Sequence, residues 1–177
     1  MAGSNDGSHP KRNCMTLFSI GHSNASIEKF LALLKQHEIG LLADVRSQPY
    51  SRYNPHFGRE ALRQAVMADG IQYVFLGDQI GGKPADASLL LPNGKVDYDK
   101  LSATEVFQNG IDQLLQLADT NTVSFMCAEA DYKHCHRYWL ITRTLIRRGI
   151  EVQHILHTGE IVSSNAAEFE SPQLSLF

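Results

Sequence analysis

The chain has 177 residues, 43% of them hydrophobic, and a net charge of −3, which suits one globular domain with a sizeable core. That charge excludes a generally basic nucleic-acid coat but leaves room for a local basic patch, and no apolar run approaches the length of a membrane span. Three cysteines with no signal peptide indicate reduced, cytoplasmic usage and argue against a disulfide framework.

Residues 1–14 are rich in Gly, Ser, Asn and Asp and are expected to be disordered. A short apolar strand at 16–20 runs into Gly21-His22-Ser23-Asn24, and Ser26 is a fitting N-cap for a helix over 27–37. A second buried strand, 41–45, ends in Asp44-Val45-Arg46. The long loop 46–59 holds Arg46, Arg52 and Arg59 among Tyr50, Tyr53 and Phe57, with no acid. Loops this long inside a compact domain are commonly functional. A helix over 60–69 and a strand over 71–76 follow. Residues 77–100 read as irregular, with a turn, and a small hairpin, at Pro92-Asn93-Gly94. A helix over 104–118, a strand over 122–127, a helix over 133–148 and a strand over 152–156 complete the pattern, and 157–164 could extend the sheet.

Strands alternating with helices predict a single three-layer α/β domain over 15–162, with a mainly parallel sheet of about five strands. Residues 163–177 read as a flexible tail. In such sheets the carboxyl ends of the strands share one edge, where ligands bind. That edge would collect His22, Ser23, Asp44, Arg46, Cys127 and Glu129.

The densest chemistry lies in 124–137, Ser-Phe-Met-Cys-Ala-Glu-Ala-Asp-Tyr-Lys-His-Cys-His-Arg. Cys127 could be a nucleophile, because a thiolate near cations and a helix N-terminus ionises easily. It could equally be a small buried hydrophobe. Asp44 and Glu129 could act as general acid and base, or simply pair with Arg46, Arg52 and Arg137. His134-Cys135-His136 invites a metal, completed by Cys127 or His22. Neighbouring residues of a helix point in different directions, however, so no metal is expected. His136 and Arg137 are instead expected to face the rim from the first turn of a helix, where an anion is favoured. Arginines and aromatic rings in 46–59 suit phosphate neutralisation and base stacking.

Several segments recur in the order of a known family: Ile20-Gly21-His22-Ser23, Asp44-Val45-Arg46, Pro49 with Ser51-Arg52, Leu76-Gly77 with Gly81-Gly82, Cys127-Ala128-Glu129 and Cys135-His136-Arg137. Over about 17–156 the chain resembles the family called domain of unknown function 488, which implies a compact bacterial α/β domain and no settled activity. A weaker resemblance is to rhodanese-like domains, whose early strand often ends in Asp-Val-Arg and whose active-site cysteine lies between a strand and a helix. That implies a rhodanese-like topology. In those domains an arginine closes the loop about six residues after the cysteine; here Lys133 stands there, and Glu129 and Asp131 would repel an oxyanion. The last five residues, Gln173-Leu174-Ser175-Leu176-Phe177, resemble the peptide by which bacterial replication and repair proteins dock on the sliding clamp.

The expected protein is therefore a cytoplasmic, DNA-associated repair enzyme with no cofactor, acting on a base, nucleotide or sugar. Asp44 and Glu129 would exchange protons, with Cys127 as a lesser candidate nucleophile. His22 and Ser23 would orient the substrate, and Arg46, Arg52, Tyr53, His136 and Arg137 would bind it. Gln173, Leu174, Leu176 and Phe177 would engage the clamp. The alternatives are a non-catalytic DNA- or nucleotide-binding adaptor, and a cysteine-dependent sulfur or phosphoryl transferase.

Overall fold

The structure is a computed structural model that describes residues 15–170. Its centre is one six-stranded sheet in the order β3-β2-β4-β1-β5-β6. The strands are β1 (Thr16–Gly21), β2 (Leu41–Asp44), β3 (Gln72–Phe75), β4 (Val123–Cys127), β5 (Glu151–Ile155) and β6 (Ile161–Ser164). The first five pair in parallel, and β6 returns antiparallel along β5. The expected α/β layering is thus present, and residues 157–164 do extend the sheet.

Side-chain alternation along the strands builds two cores. On one face Leu42, Ile20 and Met126 pack against α1 (Ile27–Gln36) and α2 (Arg59–Ala68) through Phe30, Leu34, Leu62 and Val66. On the other, Leu41, Ala43, Phe125 and Cys127 pack against α5 (Glu105–Ala118) and α6 (Arg143–Arg147). Ser26 caps α1 as its position suggests, its Oγ accepting from Lys29 N–H at 3.2 Å.

Three segments differ from the sequence expectation. The stretch 77–100 contains two short helices, α3 (Gly77–Ile80) and α4 (Tyr98–Ser102). Between them Leu90 and Val96 form the bridge of a small hairpin, whose turn uses Gly94 at φ 79°. The helix expected over 133–148 is broken, as described below. At the C-terminal side the folded body runs beyond 162. Ser164 closes β6, and a 3-10 turn, Ala166–Phe169, packs Phe169 on Tyr138 while Glu168 accepts from the Tyr138 hydroxyl at 2.6 Å. Polar composition made this segment look like tail, but its hydroxyl and ring contacts lie with residues distant in sequence. No helix among the described residues is long and apolar enough to cross a membrane.

Candidate functional site

The site forms where β1, β2 and β4 end side by side. Gly21 lies opposite Cys127, and the pairing continues past the strands, with His22 N–H donating to Cys127 O at 3.1 Å and Ser23 N–H to Ala128 O at 2.8 Å. Only glycine fits at 21, since a Cβ there would lie 1.9 Å from the Glu129 carbonyl oxygen and 2.6 Å from the Arg137 guanidinium. Arg137 is almost wholly buried. It donates to the carbonyls of Glu129 at 2.7 Å, Ala130 at 3.1 Å and Ile20 at 3.3 Å. The residue expected to hold an anion therefore holds the 127–130 loop in place.

Cys127 faces two groups brought in by the broken helix. Asp131 accepts from Lys133 N–H and starts a 3-10 turn, Tyr132–His134. Cys135 then leaves helical geometry, at φ −131° and ψ 150°, and His136 re-enters it. A six-residue π turn, Arg137–Thr142, follows before α6. Because Cys135 is extended, its thiol and the His136 ring can turn to the same side. His136 Nδ1 lies 3.6 Å from Cys127 Sγ and 3.6 Å from Cys135 Sγ. Its Nε2–H donates to the Val45 carbonyl at 3.1 Å, which leaves the Nδ1 lone pair facing the two sulfurs. Gly82 leaves room for this side chain, since a Cβ there would lie 2.6 Å from both Cβ and Cγ of His136. The Cys127 thiol is pulled down because Cys135 donates a hydrogen bond to its sulfur, with the Arg137 charge adding to the effect. Cys135 is pushed up by the same sharing and by burial.

Asp44 and Arg46 form a second, buried group. The Arg46 guanidinium meets the Asp44 carboxylate with two parallel bonds, Nε to Oδ1 at 2.9 Å and an Nη to Oδ2 at 2.7 Å. Asp44 also accepts from Arg46 N–H and the Tyr73 hydroxyl. Arg46 reaches on to the Phe57 carbonyl at 2.8 Å and to His22 Nε2 at 3.3 Å. His22 Nδ1–H donates to Ser23 O at 2.7 Å, and the ring stacks on Phe57 at 4.1 Å. Burial, reinforced by Arg46, lowers the His22 pKa to about 4, so the ring is neutral near pH 7. Asp44, expected as an acid or base, is fully buried beneath Arg46.

Above these groups lies a cavity of about 410 Å³, lined among others by His22, Arg46, Cys127, Glu129, Cys135 and His136. An adjoining space of about 530 Å³ shares His22 and Glu129 and adds Ser23 and Asn24. The Glu129 carboxylate is exposed. Of the loop aromatics, Phe57 is core, whereas Tyr50 and Tyr53 are largely exposed, at 78% and 87%, with Arg52 exposed between them. The structure thus gathers His22, Ser23, Arg46, Cys127, Glu129 and His136 along one cleft. Asp44 and Arg137 lie behind it, and Arg52 and Tyr53 outside its lining. The sequence set Cys135 with Cys127 only in a metal group discounted on helix geometry, and it gave no sign of Lys83 and Tyr98 as lining residues. The doublet Gly81-Gly82 was the available signal for the approach of the 77–100 stretch.

The family model described as Domain of unknown function DUF488 matches residues 26–144. The chain belongs to this family. No curated protein and no solved structure matched the chain. The family match spans the loop 46–59, Cys127, Glu129 and the Cys135-His136 pair, so the whole lining of the cleft except His22 and its neighbours falls within it.

Proposed function

We propose that this DUF488 protein is an enzyme of DNA repair that acts on a base, nucleotide or sugar bound in the cleft. The observation that carries the reading is the sharing of one cavity by an exposed carboxylate, Glu129, and the polarised Cys127–His136 pair. Glu129 serves as general acid and base. Arg46 offers positive charge from the floor, positioned by Asp44 from behind. Ser23 and the neutral His22 orient the substrate, Arg52 and Lys83 meet phosphate, and Tyr50 and Tyr53 stack on bases at the rim. Arg137 acts by fixing the loop that presents Glu129.

Single-turnover assays on a panel of damaged single- and double-stranded DNAs and free nucleotides test this. Glu129→Gln should lower the rate on the responsive substrate by about 10²–10⁴-fold with unchanged circular dichroism. An unaltered rate removes Glu129 from the chemistry. A second reading, cysteine-dependent transfer, is favoured by the place of Cys127 in the cavity lining, its Sγ 3.6 Å from His136 Nδ1; there Cys127→Ser would abolish turnover and Glu129→Gln would not.

The clamp peptide, Gln173, Leu174, Leu176 and Phe177, lies outside the described residues. In this proposal it tethers the domain to the bacterial sliding clamp, Leu176 and Phe177 filling an apolar pocket. Deleting that pair should cost about 2 kcal/mol or more of clamp binding by calorimetry, as anchor residues of small interfaces do. Equal binding by the full chain and the deletion would refute the tether.

A further inference from the structure

We propose that Cys127, Cys135 and His136 form a three-ligand zinc site whose fourth position opens into the cleft. Its occupancy is independent of the enzymatic reading above; only the task given to the ion rests on that reading.

The distances carry the argument. Zinc binds thiolate sulfur at about 2.3 Å and imidazole nitrogen at about 2.0–2.1 Å, and tetrahedral angles then separate S and N donors by about 3.6 Å. His136 Nδ1 stands 3.6 Å from each sulfur, and the three donor atoms lie within 4.8 Å of one another. A base serving one nucleophile would approach one thiol, whereas this ring addresses both equally. The surroundings suit an ion as well. The Nε2–H of His136 is held by the Val45 carbonyl at 3.1 Å, the kind of outer partner that orients a metal-binding imidazole. Arg137 N–H points at Cys135 Sγ at 3.5 Å, a donor that favours thiolate. Two thiolates and an imidazole are a soft set that selects zinc over magnesium or calcium.

Among the described residues no fourth side chain joins this group, and three protein ligands with a position open to a cavity are the pattern of a catalytic zinc. Water there would be acidified by the ion. Glu129, two residues beyond Cys127 and lining the same cavity, would take its proton. Water so activated would add to an electrophilic carbon of the substrate, and the leaving group would depart with the proton taken up by Glu129. The same donors, one imidazole and two thiolates beside a non-ligating glutamate, serve hydrolytic zinc enzymes that act on nucleobases.

Elemental analysis of the full-length protein, purified without chelator and dialysed, should find zinc at one equivalent per chain. Cobalt added to the metal-free protein should give thiolate charge-transfer and tetrahedral visible bands. Cys135→Ala and His136→Ala should each lose the metal, and Cys14→Ser should keep it. The cobalt spectrum of the unmutated chain keeps the test decisive even where a variant misfolds. Reduced wild-type protein that binds neither zinc nor cobalt overturns the site. Turnover that persists after metal removal overturns the task given to the ion and leaves the enzymatic reading standing. Zinc bound at one equivalent with no turnover on any substrate would support the site and count against that reading.

Discussion

The Asp44–Arg46 pair shows how far one residue's surroundings decide its task. Asp44 stands at a strand end where a catalytic carboxylate would stand, yet it is fully buried and accepts four hydrogen bonds. Burial and the adjacent carboxylate push the Tyr73 phenol up, so its hydroxyl remains a donor to Asp44. Arg46 in turn ties the loop 46–59 to the sheet through the Phe57 carbonyl. Removing the charge strands a guanidinium in the interior, and breaking a buried pair in this way costs about 3–5 kcal/mol. Asp44→Asn should therefore lower the unfolding free energy obtained from urea denaturation by an amount in that range, or somewhat less because the amide still accepts. An unchanged midpoint would mean that the pair is not holding the loop.

At the scale of elements, the segment after β4 matters most. Apolar positions at Leu140, Ile141 and Leu145 are buried as a helix period requires, so the periodicity was read correctly for the second half. It said nothing about the first half, where local hydrogen bonds compete with helix formation. The Asp131 carboxylate accepts from Lys133 N–H and faces the His134 ring at 2.8 Å, which favours a tight turn. Cys135 then extends, and Thr142 Oγ1 donates to the Arg137 carbonyl at 2.7 Å inside the π turn. Irregular turns of this kind are frequent at functional sites. Here the break removes the premise on which a metal was discounted, since Cys135 and His136 are not successive residues of one helix.

At the scale of the whole molecule, buried neutral histidines make stability depend on pH. His154 on β5 links three strands, with Nδ1 2.6 Å from Ser19 Oγ on β1 and Nε2 3.0 Å from Ser164 Oγ on β6. Its ring stacks on Tyr132 at 3.9 Å. Burial, with Arg137 and Lys133 nearby, lowers its pKa to about 3, and His22 is lowered to about 4. Both folded values lie below the ordinary 6.5, so between these limits the unfolded chain binds more protons. The stabilisation is complete above pH 6.5 and is lost as the pH falls from there through the folded values. Each histidine contributes a slope of about 1.4 kcal/mol per pH unit within that window. Urea midpoints measured from pH 7 down to 5 should fall steadily, and His154→Gln should flatten the decline. A flat wild-type profile would contradict the neutral, buried state of both rings.

Much of the molecule is legible in its sequence. The alternation of apolar runs and helical periods determined the α/β layers, because burial on two faces of a parallel sheet demands that pattern. The cap at Ser26, the turn at Gly94 and the ends of β1, β2 and β4 follow from short-range chemistry that one stretch of chain carries by itself. These were enough to place His22, Ser23, Arg46, Cys127 and Glu129 on one rim. Tertiary structure alone decided which of the polar groups face outward. Arg137 turned to the carbonyls of a loop eight residues upstream, and Asp44 was enclosed by Arg46 and Tyr73, because a buried charge must find partners wherever the fold supplies them. The meeting of Cys127, Cys135 and His136 was likewise undecided by spacing. It depends on a break in the helix, on a carbonyl of β2's end that fixes the ring, and on a glycine from the 77–100 stretch that leaves room for it.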